Sequence, residues 1–431
     1  MNASPATPVS TLPARAALKP LDAALDELLA HATVLPDAEW VRTFDADGRV
    51  LAQDVTSSLN VPAHDNSAMD GYAVRAADCA DASTALQVSQ RIPAGISASG
   101  LQPLAPFSAA RIFTGAPIPP GADAVVMQED CVALEGVNGA AAGASLRVQV
   151  QVPPQVGQWI RRRGEDVAAG SVVLHRGERL GPASLGLAAS IGFDRLQVAR
   201  RVRVALFSTG DELVMPGEVL PQDMKPGAIY NSNRFFLRTL LQRLGCVVTD
   251  LGIVPDRLDA TIAALKSASA GHDLILTSGG VSVGEEDHIK PAVRALGELN
   301  LWQIAIKPGK PFAYGQTGGA HFIGLPGNPV SSFVTFLLLV RPFILKLQGA
   351  REVAMKSIAV PAHFVWAKAD KRREFLRVRQ NVAGGLDLFE NQSSGVLTSA
   401  VWGDGLLDNP PGRTIAHGDM VQFIPFSALL S

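Results

Sequence analysis

The chain has 431 residues, 47 % of them hydrophobic and 18 % charged, with 38 basic against 40 acidic residues and a net charge of −2. That is enough apolar material for several packed cores, about three domains of ~150 residues each, and too little charge for a disordered chain. The bulk charge carries no signature of a nucleic-acid binder or a membrane-surface protein.

Residues 1–18 are rich in Pro, Ser and Ala and have no apolar core, so they read as a flexible tail rather than a secretory signal. The stretch KPLDAALDELLAH (19–31) places Leu21, Ala24, Leu25, Leu28 and Leu29 on one face and predicts an amphipathic helix. From about 55 to 175, short β-type runs (86–92, 124–127, 146–152) alternate with Gly/Pro clusters, which predicts a β-rich segment. GPASLGLAASIGFD (181–194) predicts a helix that packs back beside the first one, making the β-rich part an insertion. Three cysteines (Cys79, Cys131, Cys246), odd in number and far apart, form neither a disulfide framework nor a zinc spacing, and fit a reducing, cytoplasmic compartment.

The 201–347 region alternates strands and helices. VRVALF, CVVTDLGIV, DLILT, LWQIAIK and HFIGLP read as strands; 232–245, 256–268, 287–296 and 328–340 read as helices. This pattern predicts a central open, mostly parallel α/β sheet, whose ligands sit beyond the carboxyl ends of the strands. The apolar run 333–347 is short for a membrane span and reads as a buried helix. Beyond 350, short strands between GG and PPG turns predict a small β-barrel or sandwich.

Four loops at that rim carry chemistry. After the first strand, Ser208, Thr209 and Gly210 offer hydrogen bonds to an oxyanion beside Asp211 and Glu212. After DLILT, Gly279, Gly280, Ser282 and Gly284 let backbone approach a ligand, next to Glu285, Glu286 and Asp287. In KPGKP, Lys307 and Lys310 flank a Pro-Gly turn as two point charges suited to phosphate or oxyanion. In Pro326-Gly327-Asn328-Pro329, Asn328 reads as an N-cap and Pro329 as the first helical residue, so the helix start is an anion site. Each loop alone fits an ordinary turn, cap or surface lysine. Together, amides, hydroxyls, lysines and carboxylates suit a phosphate or pyrophosphate bridged by a hard cation. Neither G-x-G-x-x-G nor a Walker sequence is present. Outside the region, HDNSAMDGY (64–72) forms a polar turn, and RRRGED (161–166) sets three arginines beside two acids.

In order, SAMDGYAV, IFTGAPIPPGADAVV, RRRGED, FSTGDELV, YNSN, TSGGVSVGEEDHIK, KPGKPFAYG and GLPGNPVSSF resemble the strings of the molybdopterin molybdenumtransferase family (MoeA), whose animal relative is the E domain of gephyrin. The resemblance spans about 60–333 and extends to the barrel-like tail. It implies insertion of molybdenum from molybdate into adenylylated molybdopterin with release of AMP, in the presence of Mg²⁺. It implies a helical linker domain (19–54 plus 160–196), a β-rich domain (55–159), an α/β molybdopterin-binding domain (197–348) and a C-terminal β-barrel domain (349–431). It also implies a homodimer with its active site between subunits, where Asp70 and Thr114 reach across to Asp166, Glu212, Asp256, Asp287 and Lys307. The loop chemistry gives Ser208, Thr209, Gly279, Gly280, Ser282, Lys310, Pro326, Gly327, Asn328 and Pro329 as substrate-binding positions, and the resemblance adds Arg373 and Ser394 in the barrel. Glu212 and Asp287 are the implied Mg²⁺ ligands. Compatible partners are a molybdopterin adenylyltransferase and molybdoenzyme maturation proteins, with no nucleic acid and no membrane. The sequence departs from the family at Gln303, where relatives carry Lys or Arg; a neighbouring base is the expected substitute. Two other readings are a molybdopterin adenylyltransferase, which shares the α/β domain, and a non-catalytic gephyrin-like scaffold.

Overall fold

The computed structural model describes residues 18–134, 146–281 and 288–430. Six strands form the central sheet: β1 (Arg203–Thr209), β2 (Val247–Val254), β3 (Leu274–Ser278), β4 (Gly297–Gln303), β5 (Pro311–Thr317) and β6 (Ala320–Leu325). Their order is β2-β1-β3-β6-β5-β4. The first four are mutually parallel, β5 is antiparallel to β6, and β4 is antiparallel to β5. Two reversals restore direction, so β4 points the same way as β6. The loops after β1, β3, β6 and β4 therefore open at one rim, where α/β sheets bind ligands.

Strand periodicity builds the two faces of this sheet. Val204 and Leu206 of β1 join a core with Leu237, Leu240 and Leu241 of the Ser232–Arg243 helix. The alternate residues Ala205 and Phe207 face Leu265 of Leu258–Ser269 and Ile289, Ala292 and Val293 of Ile289–Leu296. The run read as one strand, LWQIAIK, is divided: β4 ends at Gln303, and Ile306–Lys307 pairs instead with Arg373–Gln380 of the C-terminal sheet.

The apolar segment is a 19-residue helix, Pro329–Leu347, long and apolar enough to cross a membrane by composition, but 89 % of its apolar window is buried inside the protein. It is the spine of the large core. Leu337 and Leu338 pack in the same cluster as Leu21, Ala24 and Leu28 of the first helix, Leu21–His31, and as Phe375, Leu406 and Ile424 of the C-terminal sheet. The first helix therefore does not lie beside the Pro182–Ser190 helix. The latter contributes Ala188 to a separate core with Ile191, Leu196 and Val198. Three antiparallel pairings nest around the β-rich part: Ala38–Arg42 with Arg195–Ala199, Val55–Thr56 with Val172–Leu174, and Asn66–Ser67 with Ile160–Arg161. The chain thus enters a six-stranded sheet, centred on Ala85–Ile92 and Ser108–Ile112, and returns along its own path. At the C-terminus a curled sheet encloses Val360, Leu376, Leu407 and Phe423, and a single bridge from Ala362 to Leu386 links its outer strands.

Candidate active site

A cavity of about 360 Å³ lies at the rim, lined by Thr209, Glu212, Ser278, Gly279, Gly327, Asn328 and Pro329 from the ends of β1, β3 and β6. The loops can meet there because of glycine. Gly279 has φ +92° and Gly280 φ +66°, a region that side chains rarely adopt. A Cβ on Gly279 would lie 3.0 Å from the Thr209 carbonyl oxygen, and one on Gly327 would lie 3.9 Å from the Gly279 Cα. Ser208 is fully buried below, its Oγ 3.4 Å from Ser278 Oγ. Pro326 is buried where β6 leaves the sheet.

Sequence reasoning named no site residue in YNSN, yet Tyr230, Asn231, Ser232 and Asn233 complete the wall. Asn231 caps the Ser232–Arg243 helix by accepting from Arg234 N–H at 3.2 Å. Asn233 Nδ2 donates to the Gly327 carbonyl at 2.7 Å, tying that helix to the loop after β6. Among the described residues each keeps one buried polar end without a hydrogen-bond partner, Asn231 Nδ2 as donor and Asn233 Oδ1 as acceptor. Buried amides are normally satisfied, so these two ends set the wall apart from an ordinary capped helix. The signal in the sequence was the surplus: one asparagine suffices to cap a helix.

Asn328 stands at the N-cap position, but its side chain caps nothing. It donates to Ser394 Oγ at 3.2 Å, and the Ser394 carbonyl accepts from Val330 N–H at 2.9 Å. The expected anion site at this helix start is thus partly taken up by a turn between strands of the C-terminal sheet, and Ser394 joins the rim.

Lys307 is drawn the same way. Its Nζ lies 3.0 Å from Glu374 Oε1 and 3.3 Å from Asp370 Oδ2, and 6.0 Å from the Trp366 ring centroid. Burial works against the ammonium, but hydrogen bonds and charge from Glu374 and Asp370 prevail and hold its pKa above the usual lysine value. Asp370 is held below the usual carboxylate range, chiefly by its hydrogen bond from Arg372. Lys310 is half-buried across the turn. Arg373 is paired with Asp408 at 2.7 Å and Asp22 at 2.9 Å. The Gln303 side-chain oxygen is buried and has no partner. Lys19, whose backbone N–H donates to the Gln303 carbonyl, is engaged with Glu27 and the Trp302 ring, so it does not replace the missing cation.

The β-rich candidates form their own clusters. Thr114 donates to Asp70 Oδ1 through N–H at 2.7 Å and Oγ1 at 2.8 Å, which lowers the Asp70 pKa. Asp65 takes Arg162 and the Arg163 N–H, and Asp166 is exposed with its N–H on the Val61 carbonyl. None of Asp70, Thr114 or Asp166 lines the rim cavity of its own chain. Asp256 is half-buried between β2 and the helix that follows. Ser282 and Asp287 lie outside the described residues, and among the described residues no three His, Cys, Asp or Glu gather as a metal cluster.

Comparison with known proteins finds matches along most of the chain. A sequence model of the MoeA N-terminal region (domain I and II) matches residues 19–192, one described as "Probable molybdopterin binding domain" matches 205–346, and one of the MoeA C-terminal region (domain IV) matches 359–426. The chain belongs to the MoeA family. Its relatives include the molybdopterin molybdenumtransferase of Haemophilus influenzae, 45 % identical over 77 % of this chain and 78 % of the relative. Molybdopterin molybdenumtransferase 2 of Mycobacterium tuberculosis is 37 % identical over 88 % and 92 %. Among solved structures, a molybdopterin biosynthesis MoeA protein from Pyrococcus horikoshii OT3 superposes with a TM-score of 0.79 at 28 % identity, covering 95 % of this MoeA-family chain and 100 % of that one.

Proposed function

We propose that this chain is a molybdopterin molybdenumtransferase: it transfers molybdenum from molybdate to adenylylated molybdopterin and releases AMP. The observation that carries the reading is the rim cavity, lined by Glu212, Thr209, Ser278, the glycine turns and the 230–233 segment, in a chain of the MoeA family. The family matches on both sides of the α/β region disfavour a stand-alone adenylyltransferase.

In this reading the Gly279, Gly280 and Gly327 loops hold the pyrophosphate that joins pterin and AMP, and Asn233 braces the Gly327 loop from below by donating to the Gly327 carbonyl. Lys307 and Lys310 face the molybdate dianion, with Arg373 and Ser394 beside them. The cavity wall is rich in oxygen donors, which fits Mg²⁺. Glu212 and Asp287 would hold the ion, which when bound polarises the phosphoryl centre. The protein's part is then positioning and charge stabilisation. The test is AMP release from adenylylated molybdopterin on addition of molybdate, for wild type and Asp287→Ala. Release that requires molybdate and is lost in the variant supports the reading; tight binding of the adenylylated pterin without release would replace it by a scaffold.

The cytoplasmic location, the four-part division and the homodimer belong to the same proposal. Asp70 and Thr114 sit outside their own chain's cavity, which fits their supply by a partner chain. Asp70→Ala and Lys307→Ala chains, each inactive alone, are then expected to regain about a quarter of wild-type activity when mixed and re-equilibrated, because each mixed dimer has one intact site. No recovery in mixed dimers, isolated by two affinity tags, would place Asp70 and Lys307 in one chain's site.

A further inference from the structure

We infer that Glu374, in the C-terminal sheet, is a positioning residue that holds the Lys307 ammonium toward the oxyanion, and that Asp370 is the partner the oxyanion displaces. The inference rests on the reading of Lys307 given above.

Glu374 is buried, its side chain 1 % exposed, in the strand Arg373–Gln380. The parallel pairing with Ile306–Lys307 puts it directly opposite Lys307. Three groups donate to its carboxylate: Lys307 Nζ at 3.0 Å, Trp366 Nε1 at 2.8 Å and Asn409 Nδ2 at 3.3 Å. Among the described residues Lys307 is the one cation within ion-pair distance of it. A carboxylate so buried is retained only with a charge partner and full hydrogen bonding, so Glu374 and Lys307 fix each other.

Asp370 differs in each respect. Its side chain is 22 % exposed, its contact with Lys307 is longer at 3.3 Å, and it holds Arg372 at 3.0 Å on its other side. It can let go of Lys307 and keep a partner. The ammonium, 38 % exposed, thus has a fixed inner carboxylate and a replaceable outer one. A purely structural role, an ion pair joining two sheets, fits the same distances but predicts a change in stability alone.

The experiment uses the full chain and compares wild type with Glu374→Gln, Glu374→Asp, Asp370→Asn and Trp366→Phe. The first readout is acylation of Lys307 by an amine-directed reagent at pH 8, resolved by peptide mass spectrometry. Loss of the Glu374 charge lowers the Lys307 pKa, so Glu374→Gln is expected to be labelled about tenfold faster. The second is molybdate-dependent AMP release: the KM for molybdate rises about tenfold in Glu374→Gln, and the alkaline limb of the pH profile moves down by about one pH unit. Glu374→Asp recovers most of both, and Asp370→Asn lowers the molybdate KM. Should Glu374→Gln not fold, Trp366→Phe, which removes one donor to Glu374, shows the same changes at smaller size. A folded Glu374→Gln protein with lowered stability but unchanged labelling, KM and alkaline limb overturns the inference. Wild type that releases no AMP overturns the functional reading instead, and the labelling result still decides whether Glu374 sets the state of Lys307.

Discussion

Lys307→Ala is expected to lower molybdate-dependent AMP release by about a hundredfold or more, the scale for losing one preorganised charge at a reacting centre, and to destabilise the protein as well. The second effect follows from Glu374, which would remain buried with Trp366 and Asn409 but without a cation. Breaking a buried pair costs about 3–5 kcal/mol. Lys307 is 38 % exposed and Asp370 shares it, so screening brings the expected loss to about 2–3 kcal/mol. The two effects separate in the double variant Lys307→Ala/Glu374→Gln, which removes the stranded charge. Its urea midpoint should recover toward wild type while its activity stays lost. Recovery of both would mean that Lys307 serves only to neutralise Glu374.

Gly309→Ala should be among the most damaging small substitutions in the chain. Gly309 has φ +111°, and a Cβ there would lie 2.4 Å from Thr335 Oγ1 and 3.1 Å from Ile306 Cδ1. Thr335 is fully buried in the Pro329–Leu347 helix and has little room to yield. Backbone strain of about 1–3 kcal/mol adds to an overpacking cost of similar size, for a total of about 2–6 kcal/mol. Activity should fall with it, because this turn carries both Lys307 and Lys310. Adding Thr335→Ala removes the clash but not the strained φ, so about half of the stability should return. An unchanged melting curve for Gly309→Ala would mean the turn has another shape.

The parts of this architecture that were legible from sequence are those written in local periodicity. Val204, Ala205, Leu206 and Phe207 alternate between the two cores, as a strand covered on both faces must. The rim loops were legible because their glycines and polar residues follow such strands directly. β5 was not read as a strand: Pro311 opens it and Gly315 interrupts it, and both are turn residues in isolation. The core that the first helix joins was hidden too, since an apolar face states that it is buried but not against what. The least legible feature was the pairing of Lys307 with Glu374, 67 residues apart. Nothing near KPGKP announces a buried acid from another sheet. A similar separation concealed the pairing of Asn328 with Ser394: Ser394 was named as a substrate-binding position, but Asn328 in its sequence context reads as an ordinary helix cap.

The most direct test of the transferase reading is a single-turnover reaction of the purified chain with adenylylated molybdopterin, Mg²⁺ and molybdate, following AMP and pterin-bound molybdenum together. The expected result is that the two appear one to one and that neither forms when molybdate is withheld. AMP appearing at the same rate without molybdate, or consumption of ATP with formation of adenylylated molybdopterin, would contradict it.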